Sequence, residues 1–105
     1  MTSEEKAKII FDAMEDKKAK DAEILDVAEF TSIAEKFVLC SCGSSNQVKA
    51  CADNVEEKMK EAKEALHHSE GYAGGNWVLL DFGDVIAHVM TEEARNFYDI
   101  ERLYR

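Results

Sequence analysis

The spacing of apolar residues predicts two amphipathic helices in the first two thirds of the chain. In residues 4–18 an apolar side chain recurs every third or fourth position, which places these side chains on one helix face, and Thr2 and Glu5 fit a capping box. Ser44 and Gln47 have the same capping-box spacing and open a longer second helix. The predicted buried stripe of that helix is Val48, Cys51, Ala52, Val55, Met59 and Ala62.

Two strands are predicted between these helices. Residues 23–27 form a short strand, and residues 36–42 form an apolar run typical of a strand that is buried on both faces. A turn over residues 30–35 separates them. The second helix is expected to end between residues 62 and 68, and the glycines of residues 70–76 indicate a loop.

The last two strands, residues 77–82 and 85–90, are predicted to form a hairpin. The Gly83-Asp84 pair between them suits a two-residue type II′ turn. Because side chains alternate along a strand, one face is wholly apolar and is the expected core: Val78, Leu80, Phe82, Val85, Ala87 and Val89. The opposite face mixes large apolar side chains with one acid and one imidazole, and we expect it to be a covered surface: Trp77, Leu79, Asp81, Ile86, His88 and Met90.

A short helix over residues 92–99 is predicted at the end of the chain, with Thr91 as its cap. Helical spacing continues beyond it, so three apolar side chains are expected to pack back on the sheet, namely Phe97, Ile100 and Leu103. Two tyrosines, Tyr98 and Tyr104, are expected to stay partly exposed. Taken together, the elements predict one α/β domain over residues 1–105.

Composition restricts the possible partners and the compartment. The 105 residues include 13 basic and 22 acidic ones, a formal charge of −9. Such a surface repels nucleic-acid phosphates, so a basic partner is expected. No apolar run reaches the ~20 residues that span a bilayer. The first residues also lack the features of a signal or transit peptide. We therefore expect a cytoplasmic protein without a membrane partner.

Three cysteines and His88 are the residues that a metal or catalytic site would use. Cys40 and Cys42 share a face of the predicted strand and Cys51 lies on the helix, but no further ligand pair completes a four-ligand zinc site. We expect three reduced, inert thiols and no bound metal or other cofactor. His88 has no nucleophile at a recognisable spacing, which favours a surface or interface residue over a catalytic one.

An enzymatic alternative starts from the Gly43-Ser44 turn, since a helix N-terminus of this kind can bind phosphate. Nucleotidyltransferases combine such a turn with two carboxylates on one strand face that hold magnesium, which requires a spacing of two residues. Asp81 and Asp84 are three apart. The pattern therefore favours a protein without catalytic activity, and leaves a nucleotide-binding enzyme as the alternative.

The run GNWVLLDFGDVIAHVMTEEARNFYDIERLYR resembles the C-terminal signature of the ribosomal silencing factor (Iojap) family, in which W-V-L-L-D-[YF]-G-D precedes a short helix with R-x-F-Y-D-L-E. Earlier segments are similar too, among them residues 25–27 and 43–45. Tyr104 stands where the family often has tryptophan.

The resemblance implies a mixed-sheet α/β sandwich related to the nucleotidyltransferase fold, without transferase activity. Family members bind the fourteenth protein of the large ribosomal subunit on its intersubunit face, sterically block the small subunit and repress translation; homodimers occur among them. We expect little direct RNA contact, because the chain is acidic. The predicted partner-binding residues are Trp77, Asp81, Asp84, His88, Tyr98, Asp99 and Glu101.

Overall fold

A computed structural model describes residues 1–104 as one α/β domain. Its helices are α1 (Ser3–Asp16), α2 (Ser45–Glu61) and α3 (Glu92–Tyr98), followed by a 3₁₀ helix (Ile100–Tyr104). Its strands are β1 (Lys20–Asp26), β2 (Lys36–Cys42), β3 (His68–Glu70), β4 (Trp77–Asp81) and β5 (Val85–Thr91). Within these residues no helix is both long and apolar enough to cross a bilayer.

The five strands form one mixed sheet in the order β1-β2-β5-β4-β3. β2 and β5 are parallel, and every other neighbouring pair is antiparallel. The predicted α/β class and mixed sheet are confirmed. β2 and β5 therefore begin at the same end of the sheet, where the β4–β5 hairpin turns, and both finish at the opposite end.

Side-chain caps fix the starts of the helices. Thr2 accepts a hydrogen bond from the Glu5 amide, and Glu5 accepts one from the Thr2 amide, so the first capping box is confirmed. Only one of the two hydrogen bonds of the second predicted capping box is present. Ser44 accepts from the Gln47 amide, but the Gln47 side chain accepts from Gly43 rather than from Ser44.

Two apolar clusters lie on the two faces of the sheet. The larger lies under α1 and α2 and contains all six residues predicted for the core face of the hairpin. The smaller lies on the opposite face and includes Ile86 and Met90 of β5, covered by Ala94 of α3 and by Ile100 and Tyr104. The C-terminal segment of the chain itself therefore covers part of the mixed face. The sequence prediction expected this face to be covered but did not identify the covering segment.

The hairpin turn matches its prediction. The Phe82 amide donates to the Val85 carbonyl at 2.9 Å, and Gly83 and Asp84 form the two-residue connection. Gly83 has φ +93°, the positive value that the first turn position of a type II′ turn requires.

Two details of the sequence prediction are wrong. β3 was expected to be helix end and loop, but its three residues pair with β4 as an exposed edge strand, and their polar side chains give no apolar pattern. Phe97 and Leu103 were expected to pack on the sheet, but they are 81% and 65% exposed. Phe97 lies on the exposed side of α3 itself, whereas Leu103 follows Asp99, whose left-handed conformation (φ 45°, ψ 51°) ends α3 and breaks the helical spacing.

Candidate functional site

An open groove lies at the end of the sheet where β4 begins and β5 finishes. Its volume is about 500 Å³. The Thr91 amide donates to the Asn76 carbonyl at 2.9 Å and so joins the loop before β4 to the end of β5. The groove is lined by Gly71, Gly74, Asn76, Trp77, Thr91, Glu93, Ala94, Phe97 and Tyr98. We call it the aromatic groove.

Three aromatic side chains form one wall of the aromatic groove. The ring centroids of Trp77 and Tyr98 are 4.9 Å apart, and those of Tyr98 and Phe97 are 5.0 Å apart with perpendicular planes. Edge-to-face and tilted contacts of this kind are favoured by the ring quadrupoles. Trp77 is half-buried, whereas Phe97 and Tyr98 are largely exposed. The chain therefore displays large apolar surface here that its own core does not use.

His88 supports this wall from inside the protein. The Trp77 indole N–H donates to Nδ1 of His88 at 3.1 Å, so the ring carries its proton on Nε2, which has no hydrogen-bond partner. His88 is only 4% exposed, and burial lowers its pKa to about 4. The predicted position opposite Leu79 is confirmed, but the predicted surface position is wrong, because Phe37 and Trp77 cover the ring.

Asp81 and Asp84 lie at the other end of β4. Asp81 lies four positions after Trp77 along the strand, about 13 Å away. Asp81 accepts a hydrogen bond from the Gly83 amide at 2.8 Å, and Asp84 pairs with Lys6 at 2.8 Å. The two predicted residues thus hold the hairpin turn, and the structure does not bring them to the aromatic groove.

Glu101 and Asp99 belong to the segment that follows α3. The buried guanidinium of Arg95 lies 3.2 Å from Glu101 and donates to the Asp21 carbonyl at 2.6 Å and to Ser41 at 3.1 Å. Glu101 is therefore mostly buried, while Asp99 remains half-exposed and lies 3.8 Å from Arg102. Of the seven predicted residues, only Trp77 and Tyr98 lie on the wall of the groove.

The Gly43-Ser44 turn is poorly suited to phosphate. Ser44 is engaged as the cap of α2, and the small pocket beside it is also lined by two acidic residues, Glu92 and Glu93. Asp81 and Asp84 lie at the opposite end of the sheet, about 20 Å away along β5. The described residues therefore do not assemble the serine and carboxylates that the enzymatic alternative needs.

Comparison with known proteins gives the family. The family model described as "Ribosomal silencing factor during starvation" matches residues 1–105. The chain belongs to the ribosomal silencing factor family. It is 42% identical to the ribosomal silencing factor of Chromobacterium violaceum over 99% of this chain and 85% of that protein. The protein of that name from Bacillus subtilis is 34% identical over 92% of this chain and 82% of its own length.

More distant and structural relatives agree. The chloroplastic Iojap protein of maize is 31% identical over 83% of this chain and 38% of its own length. A crystal structure from C. violaceum, 42% identical, superposes with a TM-score of 0.97 over 99% of this chain and 87% of that one. Another from Bacillus halodurans, 30% identical, gives 0.87 over 97% and 95%. The resemblance seen in the sequence is confirmed, and with it a role in ribosome silencing and translation regulation.

Phe97 and Gly71 are among the groove residues that sequence reasoning missed. Phe97 was predicted to be in the core, and Gly71 was treated only as part of a loop. Gly71 has φ +85°, and a Cβ built there would lie 2.0 Å from the Trp77 carbonyl oxygen. The glycine-rich sequence before β4 was the available signal, because glycine allows both the positive φ and the close approach.

Proposed function

We propose that this chain acts in the cytoplasm, binds the large ribosomal subunit through its basic fourteenth protein, and thereby blocks association with the small subunit without catalysing a reaction. The observation that carries the proposal is the aromatic groove on an acidic member of the silencing-factor family. The proposal assigns to this chain a specific partner and a steric mechanism.

The exposed aromatics supply the anchors of the proposed contact. Phe97 is 81% exposed and contacts mainly the Tyr98 ring, so its side chain adds little to the core. Aromatic residues are over-represented among the few side chains that contribute most of the binding energy of an interface. A groove of about 500 Å³ has room for one or two side chains of a partner loop between Trp77 and α3.

Charge sets the orientation and the choice of partner. Glu93 lies in the groove, Asp99 lies at the end of α3, and the whole chain carries a formal charge of −9. This field attracts a basic protein and speeds its encounter, while it disfavours ribosomal RNA. Little direct RNA contact is therefore expected.

The seven predicted residues have different parts in this proposal. Trp77 and Tyr98 contact the partner, and Asp99 lies at the rim. His88 and Glu101 act from beneath the surface, because the first holds Trp77 and the second holds Arg95. Asp81 and Asp84 join the interface only where the partner extends along β4 to the hairpin.

A bound copy is large enough to obstruct the joining of subunits. The domain measures about 31 × 31 × 21 Å. Seated by its groove on the intersubunit face, it projects roughly 20 to 30 Å into the space that the small subunit fills. Steric exclusion therefore needs no conformational change in either subunit.

Co-sedimentation with purified large subunits tests the contact. Phe97→Ala removes an exposed ring without opening the core, so its fold should persist while binding weakens about tenfold, equivalent to about 1.4 kcal/mol. Leu66→Ala is the matched control, because it removes another exposed apolar side chain far along the chain, between α2 and β3.

If Phe97→Ala binds as tightly as the wild type, the aromatic groove is not part of the interface. The same samples should be examined by sedimentation equilibrium. A homodimer that Phe97→Ala dissociates, together with unchanged ribosome binding, would assign the groove to self-association instead.

A further inference from the structure

The three cysteines form a compact cluster inside the larger apolar core. Cys40 and Cys42 lie on one face of β2, and Cys51 lies on the buried face of α2. Their Sγ atoms all lie within 4.8 Å of one another, and those of Cys40 and Cys51 are 3.9 Å apart. Sequence spacing predicted three inert thiols, but the fold places the helix thiol directly over the strand pair.

The sulfur spacing fits a metal ion bound by three thiolates. For a metal–sulfur distance of about 2.3 Å, trigonal coordination separates the sulfur atoms by about 4.0 Å. Cys40 and Cys51 already have this separation. Cys42 is close enough that a small change in its side-chain torsion completes the triangle.

The donor set selects the kind of metal. Three sulfur donors without oxygen or nitrogen favour soft ions such as Cu(I) over magnesium, calcium or manganese. Structural zinc sites have four protein ligands, and within residues 1–104 no histidine or carboxylate joins this cluster. A soft ion that accepts three ligands in an apolar setting is the better match.

A route to the cluster exists at the end of β2. Cys42 also lines a small surface pocket of about 220 Å³, together with Gly43, Ser44 and Ser45. The pocket lies beside the Cys42 end of the cluster, and all three cysteine side chains are buried beneath the surface. An ion can therefore reach Cys42 first and then Cys40 and Cys51.

We propose that Cys40, Cys42 and Cys51 form a three-coordinate Cu(I) site that joins β2 to α2. Each cysteine supplies one sulfur atom, and each thiol that becomes a thiolate on binding releases one proton to solvent. Copper remains Cu(I) throughout, so no oxidant or reductant takes part. The argument for this site does not use the proposed ribosome contact, although the pocket at Cys42 shares Asn76, Thr91 and Glu93 with the aromatic groove.

Anaerobic titration with Cu(I), in competition with the coloured chelator bicinchoninate, tests this site. The folded wild-type chain should remove one equivalent of Cu(I) from the chelator, and its X-ray absorption spectrum should show three sulfur neighbours at about 2.3 Å. Cys42→Ala and Cys51→Ala should each lose at least tenfold in affinity. Val48→Ala, which truncates a neighbouring core residue but keeps all three thiols, should retain full stoichiometry.

Several outcomes would overturn the proposal. Undiminished affinity in either cysteine variant would show that the three sulfurs do not act together. If the chain takes up Zn(II) from a zinc chelator but no Cu(I), the assignment to copper is wrong. Thermal unfolding separates binding to the fold from binding to the unfolded chain: added Cu(I) should raise the melting temperature, and a fall would contradict a preformed site.

Discussion

At the scale of single residues, the hydrogen bond between Trp77 and His88 links the core to the aromatic groove. The bond satisfies the indole N–H of a half-buried ring and fixes its plane against Tyr98. Its cost is a buried imidazole whose Nε2–H has no partner. A neutral histidine is therefore required, because the protonated ring would bring an uncompensated charge into the apolar cluster.

This requirement predicts a loss of stability in mild acid. The pKa of His88 is about 4 in the folded protein against 6.5 for the free group. Between these values the unfolded chain binds the proton and the folded chain does not, so the free energy of unfolding falls as pH falls from about 6.5 to about 4. The pKa difference corresponds to about 3 kcal/mol.

Urea denaturation at several pH values measures this effect. In His88→Gln the free energy of unfolding should depend less on pH than in the wild type, because the amide does not titrate. His67→Gln, which makes the same substitution at an exposed position, is the matched control. Identical profiles for the wild type and His88→Gln would contradict the buried neutral histidine.

Gly71 gives a second prediction at this scale. Gly71→Ala places a methyl group against the Trp77 carbonyl and forces a positive φ on alanine, so it should cost about 1–3 kcal/mol and displace the groove wall. Gly74→Ala, whose new Cβ would have its nearest contact at an ordinary 3.7 Å, is the matched control. Thermal unfolding and Trp77 fluorescence report both effects, and equal stability of the two variants would contradict the close approach.

At the scale of elements, Arg95 holds the C-terminal segment on the sheet. Its guanidinium reaches β1 through the Asp21 carbonyl, β2 through Ser41 and the 3₁₀ helix through Glu101. One side chain thus positions α3 and the segment that covers Ile86 and Met90. The groove depends on this anchor, because Phe97 and Tyr98 stand on the same short helix.

Arg95→Lys should therefore release the C-terminal segment. Lysine keeps the charge but cannot reproduce the fork geometry that serves four partners at once, Asp21, Glu23, Ser41 and Glu101, and each lost hydrogen bond to a charged group typically costs about 1.5–3 kcal/mol. Hydrogen exchange of α3 and the 3₁₀ helix should speed up in this variant. Arg102→Lys, which changes an exposed arginine of the same segment, should leave exchange unchanged, and an equal response of both variants would refute the anchor.

The elements with a strong local pattern could be read from the sequence, and those without one could not. The β4–β5 hairpin was predicted down to its register, because alternating side chains and a Gly-X turn specify it. β3 has three polar residues and pairs only at an edge. The segment after α3 was predicted wrongly because one left-handed residue, Asp99, redirects the chain, and helical spacing cannot anticipate that.

At the scale of the whole molecule, charge and exposed aromatic surface complement each other. In the proposed contact, a formal charge of −9 steers the chain toward a basic surface, and the aromatic groove supplies close contacts once encounter has occurred. Aromatic side chains that cluster on the surface, as Trp77, Phe97 and Tyr98 do, are typical of interaction sites. The sequence indicated an acidic surface with exposed aromatic residues. It did not indicate that the aromatic residues lie at one end of the sheet and Asp81 and Asp84 at the other, which only the fold shows.

Asp99→Asn tests the electrostatic part. Asparagine tolerates the left-handed conformation that ends α3, so the substitution removes one charge and keeps the cap. The association rate with large subunits should fall severalfold at low salt, and the difference from wild type should vanish at high salt. Glu57→Gln, at an exposed position on α2, is the charge control; an equal loss in both would indicate net charge alone rather than position.

The central claim is that the chain keeps the two ribosomal subunits apart through its aromatic groove, and a subunit-joining assay measures this directly. Purified large subunits are incubated with the wild-type chain, Phe97→Ala or Leu66→Ala at limiting and at saturating concentrations, small subunits are added, and joined ribosomes are quantified on a sucrose gradient. The account predicts few joined ribosomes with the wild type and Leu66→Ala, and recovery of joining with Phe97→Ala at limiting concentration. Full joining in the presence of saturating wild-type chain would contradict it.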